Sequence, residues 1–137
     1  MDLVVDANII FAALIKDGLT TYILLGEKVT LYAPSFLIDE ILKHESMLLQ
    51  KSLRTPVEFK AILEVIKNIV HFVSPQVIEG ALCDAIAISP DPDDAQYFAV
   101  ALSLNIPIWS NDFALNAQDT IRIISTTELA RLLLGQT

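Results

Sequence analysis

The chain has few of the residues on which several common kinds of protein depend. It contains one cysteine, Cys83, which excludes an internal disulfide and which we expect in a helix core. Its two histidines, His44 and His71, lie far in the sequence from any candidate nucleophile. Four glycines in 137 residues leave no glycine-rich phosphate loop. No apolar run approaches the ~20 residues of a membrane span, so we expect no membrane segment.

Basic residues are also scarce. Nine Lys plus Arg stand against 17 Asp plus Glu, which gives a net charge of -8. Affinity for nucleic acid usually comes from basic side chains that meet phosphates, so tight binding by this domain alone is not expected. A metal bridge, an oligomer or a partner would have to supply the attraction. The N-terminus reads as a strand, with Asp2 where a signal peptide carries positive charge, and we expect a cytoplasmic protein.

Strand and helix patterns alternate along the chain, which is 53% hydrophobic. This predicts one α/β domain over residues 1–137, a three-layer α/β/α sandwich around a parallel sheet. Strands are predicted over residues 3–6, 29–33, 70–73, 106–110 and 121–124. Helices are predicted over residues 9–15, 20–25, 35–50, 55–69, 74–88 and 94–104, and from residue 126 or 127 to 134. The expected helix caps are Ser35, Thr55 with Pro56 and Glu58 as a capping box, and Thr126 or Thr127, while Asp17-Gly18 separates the first two helices.

Four acidic residues fall where such a sheet brings side chains together. Asp6 ends the first strand, Asp112 follows the fourth, and Asp94 opens a helix at the same edge; Glu40 lies in the helix that follows the second strand. Ligands of open α/β sheets bind beyond the carboxyl ends of the strands. Clustered carboxylates repel one another unless a cation neutralises them, and such hard ligands suit Mg²⁺ or Mn²⁺. The pattern predicts a metal-dependent enzyme acting on phosphate esters.

Each of these acids also has a purely structural explanation. Asp6 is a candidate N-cap, with Asn8 as a rival, and Glu40 is one turn from His44, with which it can pair. Asp91, Asp93 and Asp94 precede a helix, whose N-terminus favours acids, although one cap needs only one acid. For Asp112, a cap from Ser110 or Asn111 would serve the same turn. The residue pattern favours function for Asp6 and favours the ion pair slightly for Glu40. For the other acids it leaves the two interpretations balanced.

Three segments together resemble the PIN-domain ribonucleases, a family that includes the toxin halves of VapBC toxin–antitoxin pairs. They are the Asp6 motif at 4–8, the Glu40 motif at 36–41, and the stretch 91–112, which is the most specific. The resemblance extends from residue 2 to residue 134. It implies a parallel sheet of about five strands in the order 3-2-1-4-5, so that strands one and four are neighbours. The acidic balance departs from family members with a more basic surface.

The resemblance also implies an activity and a set of site residues. The family's acidic quartet corresponds to Asp6, Glu40, Asp94 and Asp112, which would hold Mg²⁺ or Mn²⁺ for hydrolysis of RNA phosphodiesters. Supporting positions beside the quartet are Asn8, Asp93 and Ser110. An antitoxin protein and a second copy of the chain are the partners implied. The expected dimer surface is the pair of helices over 20–25 and 55–69, which carry Tyr22, Ile23, Phe59 and Ile62.

Two other functions fit parts of the pattern. An aspartyl-phosphate phosphatase would use Asp6 as nucleophile. Such enzymes want a second aspartate two residues later, where Asn8 stands, and a downstream lysine that is not evident. A non-catalytic PIN-like domain that binds RNA or protein is the alternative from a different class. Metal-dependent cleavage of single-stranded RNA would separate this alternative from the nuclease.

Overall fold

The computed structural model describes residues 1–16 and 18–135. Its sheet has five parallel strands in the order β3-β2-β1-β4-β5. The strands are β1 (Asp2–Val5), β2 (Thr30–Pro34), β3 (Val70–Val73), β4 (Ile108–Trp109) and β5 (Ile123–Ile124). The helices are α1 (Ala7–Ile15), α2 (Leu19–Leu24), α3 (Phe36–Lys51), α4 (Pro56–Ile69), α5 (Pro75–Ile88), α6 (Ala95–Leu104) and α7 (Thr126–Leu134), with 3₁₀ turns at Pro92–Asp94 and Phe113–Ala117.

The central strand β1 shows why the sheet needs helices on both faces. Leu3, Val4 and Val5 are all completely buried. Successive side chains of a strand point to opposite faces. Leu3 and Val5 accordingly join the core formed with α1, α3, α4 and α7. Val4 joins a second core with α5 and α6. The predicted three-layer α/β/α fold and the strand order are confirmed.

Of the predicted helix caps, the one at the start of α4 is confirmed. Thr55 and Glu58 form the predicted capping box at the start of α4, with hydrogen bonds of 3.2 and 3.1 Å. The prediction for Ser35 was wrong, because its side chain accepts no capping hydrogen bond from α3. Gly18 precedes α2, and Asp17 lies outside the described residues. None of the helices in the described part of the chain has the length and apolar character of a membrane span.

Two further sequence predictions were wrong. Cys83 is exposed rather than in a helix core. Helix α5 buries Ile78 and Ala85, and Cys83 lies roughly 140° around the helix from Ile78. The cap of α7 is Ser125, which accepts the Glu128 N–H, and not Thr126 or Thr127.

Candidate active site

The carboxyl ends of β1 and β4 bring two parts of the predicted site together. Val5 pairs with Trp109 in the sheet, and the backbone N–H of Asp6 donates to the Trp109 carbonyl at 3.2 Å. Asp6 follows β1 directly, and Ser110 follows β4 directly. Adjacent parallel strands that end at the same level therefore place these two side chains next to each other at the central edge of the sheet.

Ser110 links Asp6 to the segment that carries Asp112. Its Oγ donates to Asp6 Oδ2 at 2.6 Å and accepts the backbone N–H of Asp112 at 3.0 Å. Both side chains are buried, with 6% of Asp6 and 2% of Ser110 exposed. Since the serine satisfies one carboxylate oxygen, Asp6 is held in a fixed orientation by a partner that carries no charge. Ser110, predicted as a supporting residue, is thus in direct contact with Asp6.

Three of the four predicted acids line one cavity of about 680 Å³. They are Asp6, Glu40 and Asp94, and the predicted supporting residues Asn8 and Asp93 line the cavity with them. Asp112 lies beside this cavity and lines a smaller one of about 270 Å³ together with Ser110. All four acids therefore lie at the carboxyl edge of the sheet, with Asp112 at the side.

The charges of Asp6, Asp94 and Asp112 act on one another. Burial, and then the charges of Asp6, Asp91, Asp112 and Asp93, raise the pKa of Asp94 from 3.8 to about 6. Burial is also the main cause that raises the pKa of Asp6. The Ser110 hydrogen bond and the backbone N–H groups of Asn8 and Ala7 oppose that rise, and the charge of Asp112 adds to it. The cluster is a region of negative charge that favours a proton or a cation.

Neither Asp6 nor Asp94 makes a well-formed helix cap that would explain it structurally. Each stands at the N-cap position of a helix, α1 and α6 respectively. The Asp94 side chain accepts no capping hydrogen bond, and Asp6 makes no well-formed one, although the N–H groups of Ala7 and Asn8 are near enough to its carboxylate to lower its pKa. Asp91 takes the capping role instead, accepting the Asp93 N–H at 2.9 Å. Helix capping therefore does not explain Asp94, and it explains Asp6 only in part.

Glu40 and Asp112, by contrast, have structural partners. Glu40 Oε2 lies 3.7 Å from His44 Nε2, the i,i+4 pair expected from the sequence. Asp112 caps the following 3₁₀ turn by accepting the Ala114 N–H at 3.0 Å. Of the alternative caps, Asn111 bonds to Thr126, while Ser110 accepts the Asp112 N–H and donates to Asp6. These two acids thus combine a structural contact with a position at the cluster.

Two cavity residues that can donate hydrogen bonds, Tyr97 and Lys43, were missed from the sequence. Tyr97 follows Asp94 by three positions, which puts both on one side of the helix start, and Lys43 follows Glu40 by three positions on α3. The three-residue spacing from Asp94 and from Glu40 could have indicated both residues. At that spacing, however, a tyrosine is usually a core residue and a lysine is usually a solvated surface residue. Tyr97 is 4% exposed and Lys43 is exposed.

The chemistry of the donors suits a hydrated divalent cation. Among the described residues, no group of three or more His, Cys, Asp or Glu side chains is close enough to enclose a metal ion. Mg²⁺ does not require such a cage, because it keeps several waters and binds proteins through one or two carboxylates plus substrate phosphate. Asp6 and Asp94, which line the same cavity and interact through their charges, are the pair that fits direct binding. Glu40 and Asp112 fit contact through water.

An open parallel α/β/α fold with carboxylates at its central edge is the arrangement of an α/β domain that binds its ligand beyond the carboxyl ends of the strands. The family model of the PIN domain matches residues 4–129. The chain belongs to the PIN-domain family, whose members are generally nucleases and typically use divalent metals. Comparison with curated proteins and with solved structures finds no match.

Proposed function

We propose that the chain is a metal-dependent endoribonuclease that hydrolyses RNA phosphodiester bonds. The observation that carries the proposal is the pair Asp6 and Asp94. The two carboxylates line one cavity, no capping hydrogen bond accounts for Asp94, and the charge of Asp6 contributes to the raised pKa of Asp94. Such repulsion is unfavourable for a structural element, but it is what a cation site requires before its ion binds.

In this proposal Asp6, Glu40, Asp94 and Asp112 hold Mg²⁺ or Mn²⁺. The bound cation would supply positive charge that draws a phosphodiester into the acidic cavity and polarises it. Ser110 keeps the Asp6 carboxylate in place through its short hydrogen bond. Glu40, at the cavity wall beside His44, would accept a proton from the attacking water. Asn8 and Asp93 line the cavity as supporting residues.

The substrate proposed is single-stranded RNA. With a net charge of -8, the chain cannot rely on broad attraction to phosphates. Proteins that bind single strands also stack bases on aromatic rings. Phe113, directly after Asp112, is 86% exposed and lines the cavity that Ser110 and Asp112 share. Lys43 lines the main cavity and offers one local positive charge. Stacking and this lysine would add to the attraction of the cation.

Replacing Phe113 by alanine should raise the KM for single-stranded RNA about tenfold with little change in kcat, because one stacked base contributes ~1–3 kcal/mol. Steady-state cleavage of a labelled oligonucleotide measures both constants. Phe113→Trp should retain the low KM. Leu53→Ala, which removes another side chain that is 81% exposed, is the control and should change nothing. An unchanged KM in Phe113→Ala would remove Phe113 from the substrate path.

The activity itself is tested with the purified chain and labelled single-stranded RNA in Mn²⁺, in Mg²⁺ and in EDTA. The proposal expects cleavage with either cation and none in EDTA. A single-stranded DNA of the same sequence serves as the comparison for RNA specificity. Absence of cleavage in both cations would contradict the proposal.

A non-catalytic PIN-like domain that binds RNA or protein is the second candidate. The specific observation in its favour is that Glu40 and Asp112 have structural partners, His44 and the Ala114 N–H. A chain of this kind would bind single-stranded RNA and leave it intact in every metal. The cleavage assay therefore separates the two candidates.

A toxin role with an antitoxin partner, in the cytoplasm, belongs to the same proposal. Its support is the family membership and the resemblance of the acidic segments to VapBC toxins. A short neighbouring reading frame for a DNA-binding protein would favour this role. Co-expression provides the direct test: the neighbouring protein should copurify with the chain and suppress its cleavage of RNA.

We propose a homodimer, on a smaller surface than the sequence predicted. Ile23 and Phe59 lie in the core, with 4% and 2% exposed, and cannot reach a partner. Tyr22 is 67% exposed, and α4 presents Val57 and Val65. Sedimentation at micromolar concentration should give twice the 15.1 kDa of one chain, which requires an association free energy of about -8 kcal/mol. A single 15.1 kDa species would contradict the dimer.

A further inference from the structure

We propose that the hydroxyl of Tyr97 binds the substrate, donating a hydrogen bond to a non-bridging oxygen of the phosphodiester in the acidic cavity. This inference rests on the proposed function, since it assigns a contact within the same site. It makes Tyr97 a phosphate-binding residue that was not among the predicted acids.

The Tyr97 hydroxyl has no hydrogen-bond partner among the described residues, although its oxygen is fully buried. The whole residue is 4% exposed. Buried polar groups are nearly always paired, because water is lost on folding and must be replaced. An orphaned hydroxyl in the core of a helix would be a defect. Tyr97 lines the cavity of Asp6, Glu40 and Asp94, so a ligand bound there would pair with this hydroxyl by displacing the atoms that cover it.

The ring of Tyr97 is held in place by its neighbours. Tyr97 belongs to the core that α6 forms against the sheet, and its ring meets that of Phe36 edge to face, with centroids 6.5 Å apart. Since α3 begins at Phe36 and also carries Glu40, the aromatic pair joins the two helices that border the cavity. The ring is therefore positioned by packing, and the hydroxyl has no hydrogen bond of its own among the described residues.

The surroundings keep the hydroxyl protonated. Burial, followed by the charges of Asp6, Glu40 and Asp94, raises the pKa of Tyr97 far above its ordinary value of 10. None of these three carboxylates accepts a hydrogen bond from it, as its oxygen has no partner in the described chain. Tyr97 thus faces the cluster as a neutral group with an uncommitted O–H.

A phosphodiester is the ligand that fits this combination. Its anionic oxygens are strong acceptors, and they would be repelled by the three carboxylates unless donors and cations compensate. Within the cavity lining, Lys43 supplies a positive charge and Tyr97 supplies a donor without charge. Asp6 and Asp94 would hold the proposed cation, and Tyr97 would donate to the phosphate. A trapped water bound to the hydroxyl is the competing explanation, and it predicts no effect on substrate.

Tyr97→Phe removes the oxygen alone and keeps the contact with Phe36. We expect kcat/KM for single-stranded RNA in Mn²⁺ to fall by about 10- to 100-fold, the range for a hydrogen bond to a charged group. The melting temperature without metal should be equal or higher, because a buried orphan has been removed. Tyr32→Phe is the matched control: Tyr32 is half-buried on β2 against His71 and does not line the cavity. It should cleave within twofold of the unmodified chain.

A second readout does not depend on turnover. Dimethyl phosphate with Mg²⁺ should raise the melting temperature of the unmodified chain and of Tyr32→Phe, and the rise should be lost in Tyr97→Phe. If the unmodified chain leaves RNA intact, the proposed function is contradicted. The response of the melting temperature to dimethyl phosphate still tests whether Tyr97 binds a phosphodiester. Unchanged cleavage, or an unchanged response to dimethyl phosphate, in Tyr97→Phe would overturn the inference. If Tyr97→Phe does not fold, crystals of the unmodified chain soaked in dimethyl phosphate and Mg²⁺ decide, through the presence or absence of a phosphate oxygen within hydrogen-bond distance of Tyr97 Oη.

Discussion

Asp6→Asn should lower Mn²⁺-dependent cleavage of single-stranded RNA by about 1,000-fold or more, a loss of roughly 4 kcal/mol of transition-state stabilisation. Asparagine has nearly the same shape, and its carbonyl oxygen can still accept the hydrogen bond from Ser110 Oγ that Asp6 accepts at 2.6 Å. What is lost is the negative charge at the centre of the cluster. Because Asp6 is 6% exposed, water does not replace that charge easily. Rate measurements at saturating RNA test the prediction.

The same substitution should remove the stabilisation by metal. Mn²⁺ binds the folded site and not the unfolded chain, so it should raise the melting temperature of the unmodified protein and leave that of Asp6→Asn unchanged. Asp39→Asn is the matched control, since Asp39 is an exposed acid on α3 that does not line the cavity. It should behave as the unmodified chain in both assays. Full cleavage in Asp6→Asn would contradict the assignment of the site.

Asp94→Asn should abolish Mn²⁺-dependent cleavage while making the metal-free protein more stable. Asp94 provides no cap to α6, so asparagine loses no capping hydrogen bond. The substitution removes a carboxylate whose pKa is raised to about 6 by burial and by the charges of Asp6, Asp91, Asp112 and Asp93. At neutral pH this carboxylate is ionised against an unfavourable field. Its removal should stabilise the fold by about 1–2 kcal/mol, a figure reduced for solvent screening of a half-buried group.

The raised pKa of Asp94 determines how the stability of the metal-free protein changes with pH. The pKa of Asp94 rises from 3.8 to about 6 in the folded chain, so the folded state binds more protons than the unfolded state between those values. The stability of the metal-free protein should therefore fall as pH rises through this window. Chemical unfolding in EDTA at pH 4 and pH 7 should show the gain from Asp94→Asn at pH 7 and little at pH 4. Asp84→Asn is the control, because Asp84 is an exposed residue of α5. If Asp94→Asn were less stable than the unmodified chain at pH 7 and fully active, Asp94 would be a structural residue and not a metal ligand.

The part of the site that follows from strand ends could be predicted from the sequence. Leu3 to Val5 are apolar without interruption, so the end of β1 and the position of Asp6 can be read directly. The second neighbour, β4, pairs with only two residues of β1, yet Ser110 and Asp112 follow it as expected. Acids at the carboxyl ends of adjacent parallel strands must share an edge, whatever the loops do. The order of the five strands came from the family resemblance rather than from the residue pattern.

Features that depend on competition between neighbours could not be predicted in this way. Ser125, Thr126 and Thr127 can each cap a helix. Thr126 Oγ1 is already engaged, since it accepts from Trp109 Nε1 and Asn111 Nδ2, each at 3.0 Å. Ser125 is left for α7. The capping role near Asp94 was settled in the same manner, because Asp91 bonds the Asp93 N–H and leaves Asp94 uncommitted.

The unpaired hydroxyl of Tyr97 is the clearest case of this limit. Its sequence position on α6 indicates only an aromatic residue in the core, and its burial confirms that. Whether the oxygen finds a partner depends on the distances to three elements: β1 with Asp6, α3 with Glu40, and the start of α6 with Asp94. Such distances follow from packing of both layers against the sheet. A sequence pattern describes one element at a time and does not contain them.

The most direct test of the metal-dependent site is anomalous diffraction from crystals soaked in Mn²⁺. The account predicts an anomalous peak in the cavity at the carboxyl edge of the sheet, within coordination distance of Asp6 and Asp94, and no such peak in crystals of Asp6→Asn. A cavity without a peak at saturating Mn²⁺, or a peak bound elsewhere with the two carboxylates unliganded, would contradict it.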